Sequence, residues 1–286
     1  MTEITETSGK WILSGEHAVV HNRRAIAFPL PDRKMRLTWT AKEGSSFVSQ
    51  NQPELAEILE KTFVHGADLA NIPIPRLWGS FHMSSNINIG CGLGSSAAVC
   101  ILVAKWFINR GYIDQAQLLL FATELENSFH SNSSGLDVAV VVAGRPILFS
   151  RPAGIKALNL TWKPKLYLSS SGISGKTADA IKRVQSASNE ILYDKMESAT
   201  IICLKALTEN FSDRSLGRLA QGINIACECF SDWGLVTKPL QQNMNNLTSA
   251  GAIAVKPTGA GDGGFILSLW GRNPPLSLEQ SLIPAL

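Results

Sequence analysis

Between Gly90 and Val99 the chain reads GCGLGSSAAV, with three glycines in five positions, two hydroxyl side chains and then an apolar run. Glycine costs conformational entropy on folding, so such a cluster marks backbone that needs a positive φ or a very close approach to something else. An alternating segment, Arg76–Ser85, precedes it and reads as a strand, while Ala97–Ile108 is apolar all round and reads as a buried helix. A strand, a glycine-rich turn and a helix start aim backbone N–H groups at one point, where the helix dipole adds about half a positive charge. That arrangement favours an anion. Ser95 and Ser96 supply a helix cap and a hydroxyl able to reach a phosphate or a bound cation. The spacing is neither the GxxxxGKS/T of a Walker A loop nor the GxGxxG of a dinucleotide fold.

Three other segments carry chemistry. GKWILSGEHAVVHNRRAIA, residues 9–27, places Lys10 at the start of a short strand (Lys10–Ser14) and Glu16 and His17 just after a glycine. That segment alone leaves two readings open: a Lys–Glu–His set that binds a small hydroxylated acid, or a turn satisfied by Glu16 and His17. In ELENSFHSNSSGLDVAV, residues 124–140, Glu126 and His130 are four apart and share a helix face, while Glu124 reads as solvated. Asp137 follows a Ser-Ser-Gly turn and leads an apolar run, which buries it in part; with no cation in its own segment it needs a partner from elsewhere, and Lys10 is a candidate. The last segment, KPTGAGDGGF, holds four glycines between Gly259 and Gly264, more than a plain hairpin needs.

The remaining pattern is mixed. Met35–Ala41, Lys165–Ser169, Ala252–Lys256 and Gly264–Leu269 read as strands. Pro53–Leu69, Asp114–Phe129 (capped by Asp114), a region capped by Thr177, Met196–Asn210 and Leu216–Phe230 read as helices. His130–Gly135 reads as a loop, and Val138–Ala143 fits either a buried helical turn or a strand. Strands and helices do not alternate strictly, which favours α+β over a doubly wound sheet. Breaks at residues 144–146 and 152–154 divide the chain into residues 1–154 and 155–286.

With 286 residues, 45% hydrophobic and 17% charged, the chain has ample core. Its net charge of +3 comes from scattered basic residues, without the block a nucleic-acid surface shows. Five cysteines form no CxxC pair and leave an odd count, which fits a reducing, cytoplasmic compartment better than a disulfide framework or a zinc site. The acidic, polar N-terminus is no secretory signal, and no apolar run approaches the ~20 residues of a membrane span.

In their order, GKWILSGEHAVV, GCGLGSSAA and KPTGAGDGGF resemble the three motifs of the GHMP kinases. Within that family the likeness is greatest to the mevalonate kinase branch: GEHAVVH has that branch's form of the first motif, where phosphomevalonate kinases usually carry Tyr at the position of His17. ELENSFHSNSSGLD is similar to that branch's E-x-E-x-x-x-H-G-x-P-S-G-x-D. The resemblance implies a two-domain α+β fold, with an N-terminal GHMP domain, a ferredoxin-like C-terminal domain and the active site in the cleft between. It implies an ATP- and Mg²⁺-dependent kinase acting on the 5-hydroxyl of (R)-mevalonate, as a monomer or homodimer. By position, Gly90, Gly92, Leu93, Gly94, Ser95, Ser96 and Ala97 would wrap the triphosphate, and Ser96 with Glu126 would hold Mg²⁺. Asp137 would accept or stabilise the proton of the substrate hydroxyl, tuned by Lys10, while Glu16, His17, Thr177, Gly259 and Ala260 would contact mevalonate. The chain departs from the family at Ser8, Asn22, Ser131 and Ser133, and at Asp262, which interrupts the third motif's glycines. The resemblance leaves open another acceptor, such as phosphomevalonate or a sugar, and a sensor that binds without turnover.

Overall fold

The computed structural model describes the chain apart from residues 51, 74–78, 130–132, 174, 176 and 188 and the side chains of Thr177 and Ala178. Two units emerge. One comprises residues 1–10, 29–89 and 94–144; the other comprises 11–28, 90–93 and 145–286. They are not consecutive halves, because residues 11–28 and 90–93 cluster with the C-terminal part of the chain.

The first unit is a sheet with helices. Its strands come from β1 (Thr2–Ser14), β2 (Ala25–Thr40), β3 (Ser45–Ser49) and β4 (Gly79–Ser85), and its helices are α1 (Glu54–Leu69), α2 (Ser95–Asn109), α3 (Leu118–Asn127) and α4 (Leu136–Ala143). β1 pairs with β2, β2 runs antiparallel to β4 with Met35 opposite Ser85, and β3 runs parallel to β4. α1 buries Leu55, Leu59 and Phe63, one stripe at helical spacing. Phe63 meets Phe81 at 4.4 Å and Trp106 at 5.2 Å between ring centroids. Each such aromatic contributes about 1.5–3 kcal/mol through burial. α2 is buried from Ala97 through Ala104, as its all-round apolarity requires.

Several expectations shift here. The 114–129 segment opens with a 3-10 turn, Gln115–Gln117, held by an Asp114–Gln117 capping box, before α3 begins at Leu118. Val138–Ala143 is helical: Gly135 at φ +77° and Gly144 at φ +61° cap α4 at both ends. His130 and Ser131 lie outside the described residues, as do residues 76–78 of the expected strand and half of the expected 130–135 loop, residues 130–132.

In the second unit the start of β2 pairs with β5 (Ile147–Ser150), which pairs with β6 (Gly154–Ala157). A separate antiparallel sheet contains β7 (Lys165–Ser170), β8 (Ala254–Thr258), β9 (Phe265–Trp270) and β10 (Leu282–Pro284) in the order β10-β7-β9-β8. Fourth, first, third, second is the strand order of a ferredoxin-like sheet. Helices α5 (Thr177–Ala187), α6 (Glu190–Thr208), α7 (Asp213–Asp232) and α8 (Lys238–Ser249) complete the unit. Thr177 is the first residue of α5 rather than a residue ahead of it. Tyr193, Met196, Phe230 and Trp233 anchor one core cluster; Leu240, Met244, Ile266 and Trp270 anchor another. Among the described residues no helix is long and apolar enough to cross a membrane.

Candidate active site

Lys10, on β1, is only 2% exposed, and its Nζ lies 2.7 Å from Asp137 Oδ2. A buried ammonium is costly unless paired, and Asp137 is the partner within the same unit. Asp137 is the second residue of α4, where the helix dipole favours a carboxylate. Glu126, in the last turn of α3, is also 2% exposed. Ser133 Oγ donates to its Oε2 at 2.6 Å. Burial, and then the charge of Asp137, push the Glu126 carboxyl up to about 7, against the opposing effects of the Ser133 hydrogen bond and Lys10. Two carboxyl groups thus share one ammonium. An added cation would relieve the excess, and hard oxygen donors are those Mg²⁺ takes, usually one or two carboxylates with phosphate and water completing the shell. Among the described residues no group of three or more His, Cys, Asp or Glu could hold a metal ion by itself.

Gly94 explains part of the glycine run. It is the N-cap of α2 at φ +80°, and a Cβ there would come 2.7 Å from Lys10 Cγ. Only glycine leaves the lysine stem its course along β1. The cap is therefore Gly94 and not Ser95 or Ser96, which are the first helical residues and half-buried; no side chain caps this end of α2. Its first-turn N–H groups are left with the helix dipole behind them. Ala97 is fully buried, so it can offer only its backbone.

In the second unit, Gly15 turns the chain at φ +104°, where a Cβ would sit 2.4 Å from the Ala25 backbone. Glu16 and His17 follow. Glu16 Oε1 is 2.5 Å from Lys256 Nζ, with both side chains essentially inaccessible, and Phe230 stacks on the ammonium at 5.1 Å. His17 is half-buried at φ +60°, and its Nε2 lies 2.9 Å from Ala260 O. A carbonyl only accepts, so Nε2–H donates. Burial lowers the His17 pKa to about 4, which keeps the imidazole neutral at physiological pH. Phe230 and Trp233 hold it edge-on at 5.9 and 5.3 Å.

The two glycine segments of this unit press backbone against backbone. A Cβ on Gly92 would meet Thr258 O at 3.0 Å, one on Gly259 would meet Gly92 Cα at 2.9 Å, and one on Gly264 would meet Cys91 O at 2.8 Å. A small cradle results, lined mostly by glycines of residues 90–92, 175 and 261–264, with Cys91, Thr258 and Ala260. Leu93 is buried beneath it in sequence, with no exposed side chain. Thr177 starts α5 just after Gly175; its side chain lies outside the described residues.

Residues 54–145 match the GHMP kinases N terminal domain family. The L. major mevalonate kinase solved with R-mevalonate superposes with a TM-score of 0.77 over 96% of this chain and 88% of its own, at 21% identity. The chain has the GHMP kinase fold. The Streptococcus pneumoniae phosphomevalonate kinase, solved with phosphomevalonate and AMPPNP, shares that fold equally, with a TM-score of 0.77 over 95% of this chain and 93% of its own at 17% identity. Mevalonate kinase of Aeropyrum pernix is 26% identical over 287 aligned residues, covering 92% of this chain and 86% of its own. The family match covers residues 54–145, and the likeness to mevalonate kinases runs along nearly the whole chain.

Sequence reasoning singled out Lys10, Glu126 and Asp137, and the structure brings them together. It missed Lys256, although a lysine inside the apolar run AIAVKP signals a buried partner. It also missed Ser133 as a donor to Glu126, because that contact crosses a turn whose path the residue pattern does not specify.

Proposed function

We propose that this GHMP-family protein transfers the γ-phosphoryl group of ATP to the 5-hydroxyl of (R)-mevalonate. The observation that carries the reading is the pairing of buried Lys10 with half-buried Asp137 beside Glu126, supported by mevalonate kinase relatives that align along nearly the whole chain. In phosphoryl transfer there is little covalent work for the protein, and positioning with charge neutralisation dominates. The hydroxyl oxygen attacks the γ-phosphorus, the bond to the bridging oxygen breaks, ADP leaves, and the hydroxyl proton passes to Asp137. Lys10 fixes the Asp137 carboxylate by its 2.7 Å contact. The uncapped start of α2, with Ser95, Ser96 and the backbone of Ala97, and the cradle residues Gly90 and Gly92 with the Leu93 backbone, take the phosphates. Ser96 and Glu126 would hold Mg²⁺, which when bound neutralises phosphate charge. His17, a neutral donor and acceptor, meets the acceptor with Thr177, Gly259 and Ala260, while the buried Glu16–Lys256 pair holds the His17 turn in place.

The test is ADP release with Mg-ATP and (R)-mevalonate, beside phosphomevalonate, galactose and homoserine. Turnover with mevalonate, and a fall of about 10²–10⁴ in kcat for Asp137→Asn, is the expected result for loss of a positioned proton acceptor. Turnover only with another acceptor would keep the family and remove the substrate assignment. Mevalonate binding without ADP from any acceptor would mark a sensor.

A further inference from the structure

Asp262 sits between Gly261 and Gly263, two residues that line the glycine cradle. Its backbone is left-handed, at φ +65°, which Asp tolerates better than most side chains. Its N–H donates to Leu235 O at 2.9 Å. The carboxylate is only 13% exposed, and Arg183 Nη1, from α5, reaches Oδ1 at 2.7 Å. The same nitrogen donates to Gly234 O at 3.3 Å. The loop leading into α5 is stitched to the same glycines: Gly264 N–H donates to Ile173 O, Ser171 N–H donates to Gly264 O, and a Cβ on Gly175 would meet Gly261 O at 2.7 Å.

The kinase reading places an anionic group of the ligand at this glycine cradle, and a bare carboxylate between two of its lining glycines would oppose it. We propose that Arg183 is a specificity-determining residue: it neutralises Asp262 so that the cradle accepts an anionic group of the ligand. The inference rests on the kinase reading, in which that group is either the nucleotide's phosphate chain or the acceptor's carboxylate. The pair sets a guanidinium from α5 against the carboxylate that stands among the third motif's glycines. Without Arg183, a like charge within a Debye length (about 8 Å at physiological salt) confronts the bound anion. At effective dielectrics between those of a protein surface and water this weakens binding roughly tenfold.

Calorimetric titration of Mg-ADP, and separately of (R)-mevalonate, into wild type, Arg183→Gln, Asp262→Asn and the double variant tests this. Arg183→Gln is expected to weaken one ligand roughly tenfold, and less at high salt, because the lost term is coulombic. The ligand affected identifies the anion. Asn retains the left-handed backbone, so the double variant should return to within about twofold of wild type once the stray charge is gone. Arg183→Lys, which keeps the charge, should bind as wild type does and separates charge from folding. Unchanged binding of both ligands by Arg183→Gln, or a double variant as weak as Arg183→Gln, would overturn the proposal and reduce the pair to a structural tie. Failure of wild type to bind either ligand would instead remove the kinase reading, and this inference with it.

Discussion

Glu126 should make the metal-free protein lose stability as pH rises from about 4.5 to about 7. The native carboxyl holds its proton up to about 7, against 4.5 for an ordinary glutamate, because it is buried and faces Asp137. The unfolded chain releases that proton earlier, so between these values the native state binds more protons and stability falls with pH. The contribution is complete below about pH 4.5 and gone above about pH 7. A difference of two to three pH units corresponds to about 3 kcal/mol at 1.36 kcal/mol per unit. For a chain of this size that is about 6 °C in Tm, at roughly 2 °C per kcal/mol. Thermal unfolding in EDTA from pH 5 to pH 8 should therefore show an extra fall of about that size in wild type relative to Glu126→Gln, which cannot titrate. The variant should be the more stable protein at pH 8. Adding Mg-ADP to wild type should flatten the curve, since a cation at Glu126 favours the ionised form. Parallel curves for wild type and variant would refute the argument, and would mean that water or a neighbouring group solvates Glu126 in solution.

Three further outcomes follow from contacts described above. Lys256→Met removes the ammonium that pairs with buried Glu16 and should cost about 3–5 kcal/mol in urea unfolding, much of it recovered in the Glu16→Leu/Lys256→Met double variant. Gly94→Ala should cost the roughly 1–2 kcal/mol of a left-handed residue and also displace Lys10, whereas Gly44→Ala, at φ +73° in open space, pays only the backbone part; equal Tm losses would show that the Lys10 collision is relieved. The His17 imidazole resonances should not titrate between pH 5.5 and 8, because its pKa is lowered to about 4; the matching stability is present above about 6.5 and lost as pH falls toward 4. A His17 midpoint near 6.5 by NMR would contradict its burial.

Much of the framework was legible in the residue pattern for a physical reason. Helices such as α1 and α2 declare themselves because the apolar spacing that defines them is also what buries them. Helix α8 does not: KPLQQNMNNLTS is rich in residues of low helical propensity, and it is held by burial of Leu240, Met244 and Leu247 and by Asn243 Nδ2 donating to Ser171 O. The short strands β3, β5 and β6 carry too few residues for a period to show, and partners set their pairing.

The site divides in the same way. Local chemistry named the glycine segments and Asp137, because three glycines beside two serines, or a carboxylate leading an apolar run, are costly choices without a purpose, whereas Glu126 took its role from the family resemblance. Local chemistry also offered Lys10 as a candidate partner for Asp137, since a partly buried carboxylate requires a cation. Which atoms meet was not a property of any segment. Gly94 is glycine because a lysine stem from residue 10 passes over it, and Gly92 is glycine because the Thr258–Gly259 backbone lies against it. Glu16 answers Lys256 across 240 residues of chain, and Asp262 answers Arg183 across 79. Sequence by itself determined which residues had to find partners; the tertiary structure decided which partners they found, because pairing depends on where the packed backbone brings each charge and each bare Cα.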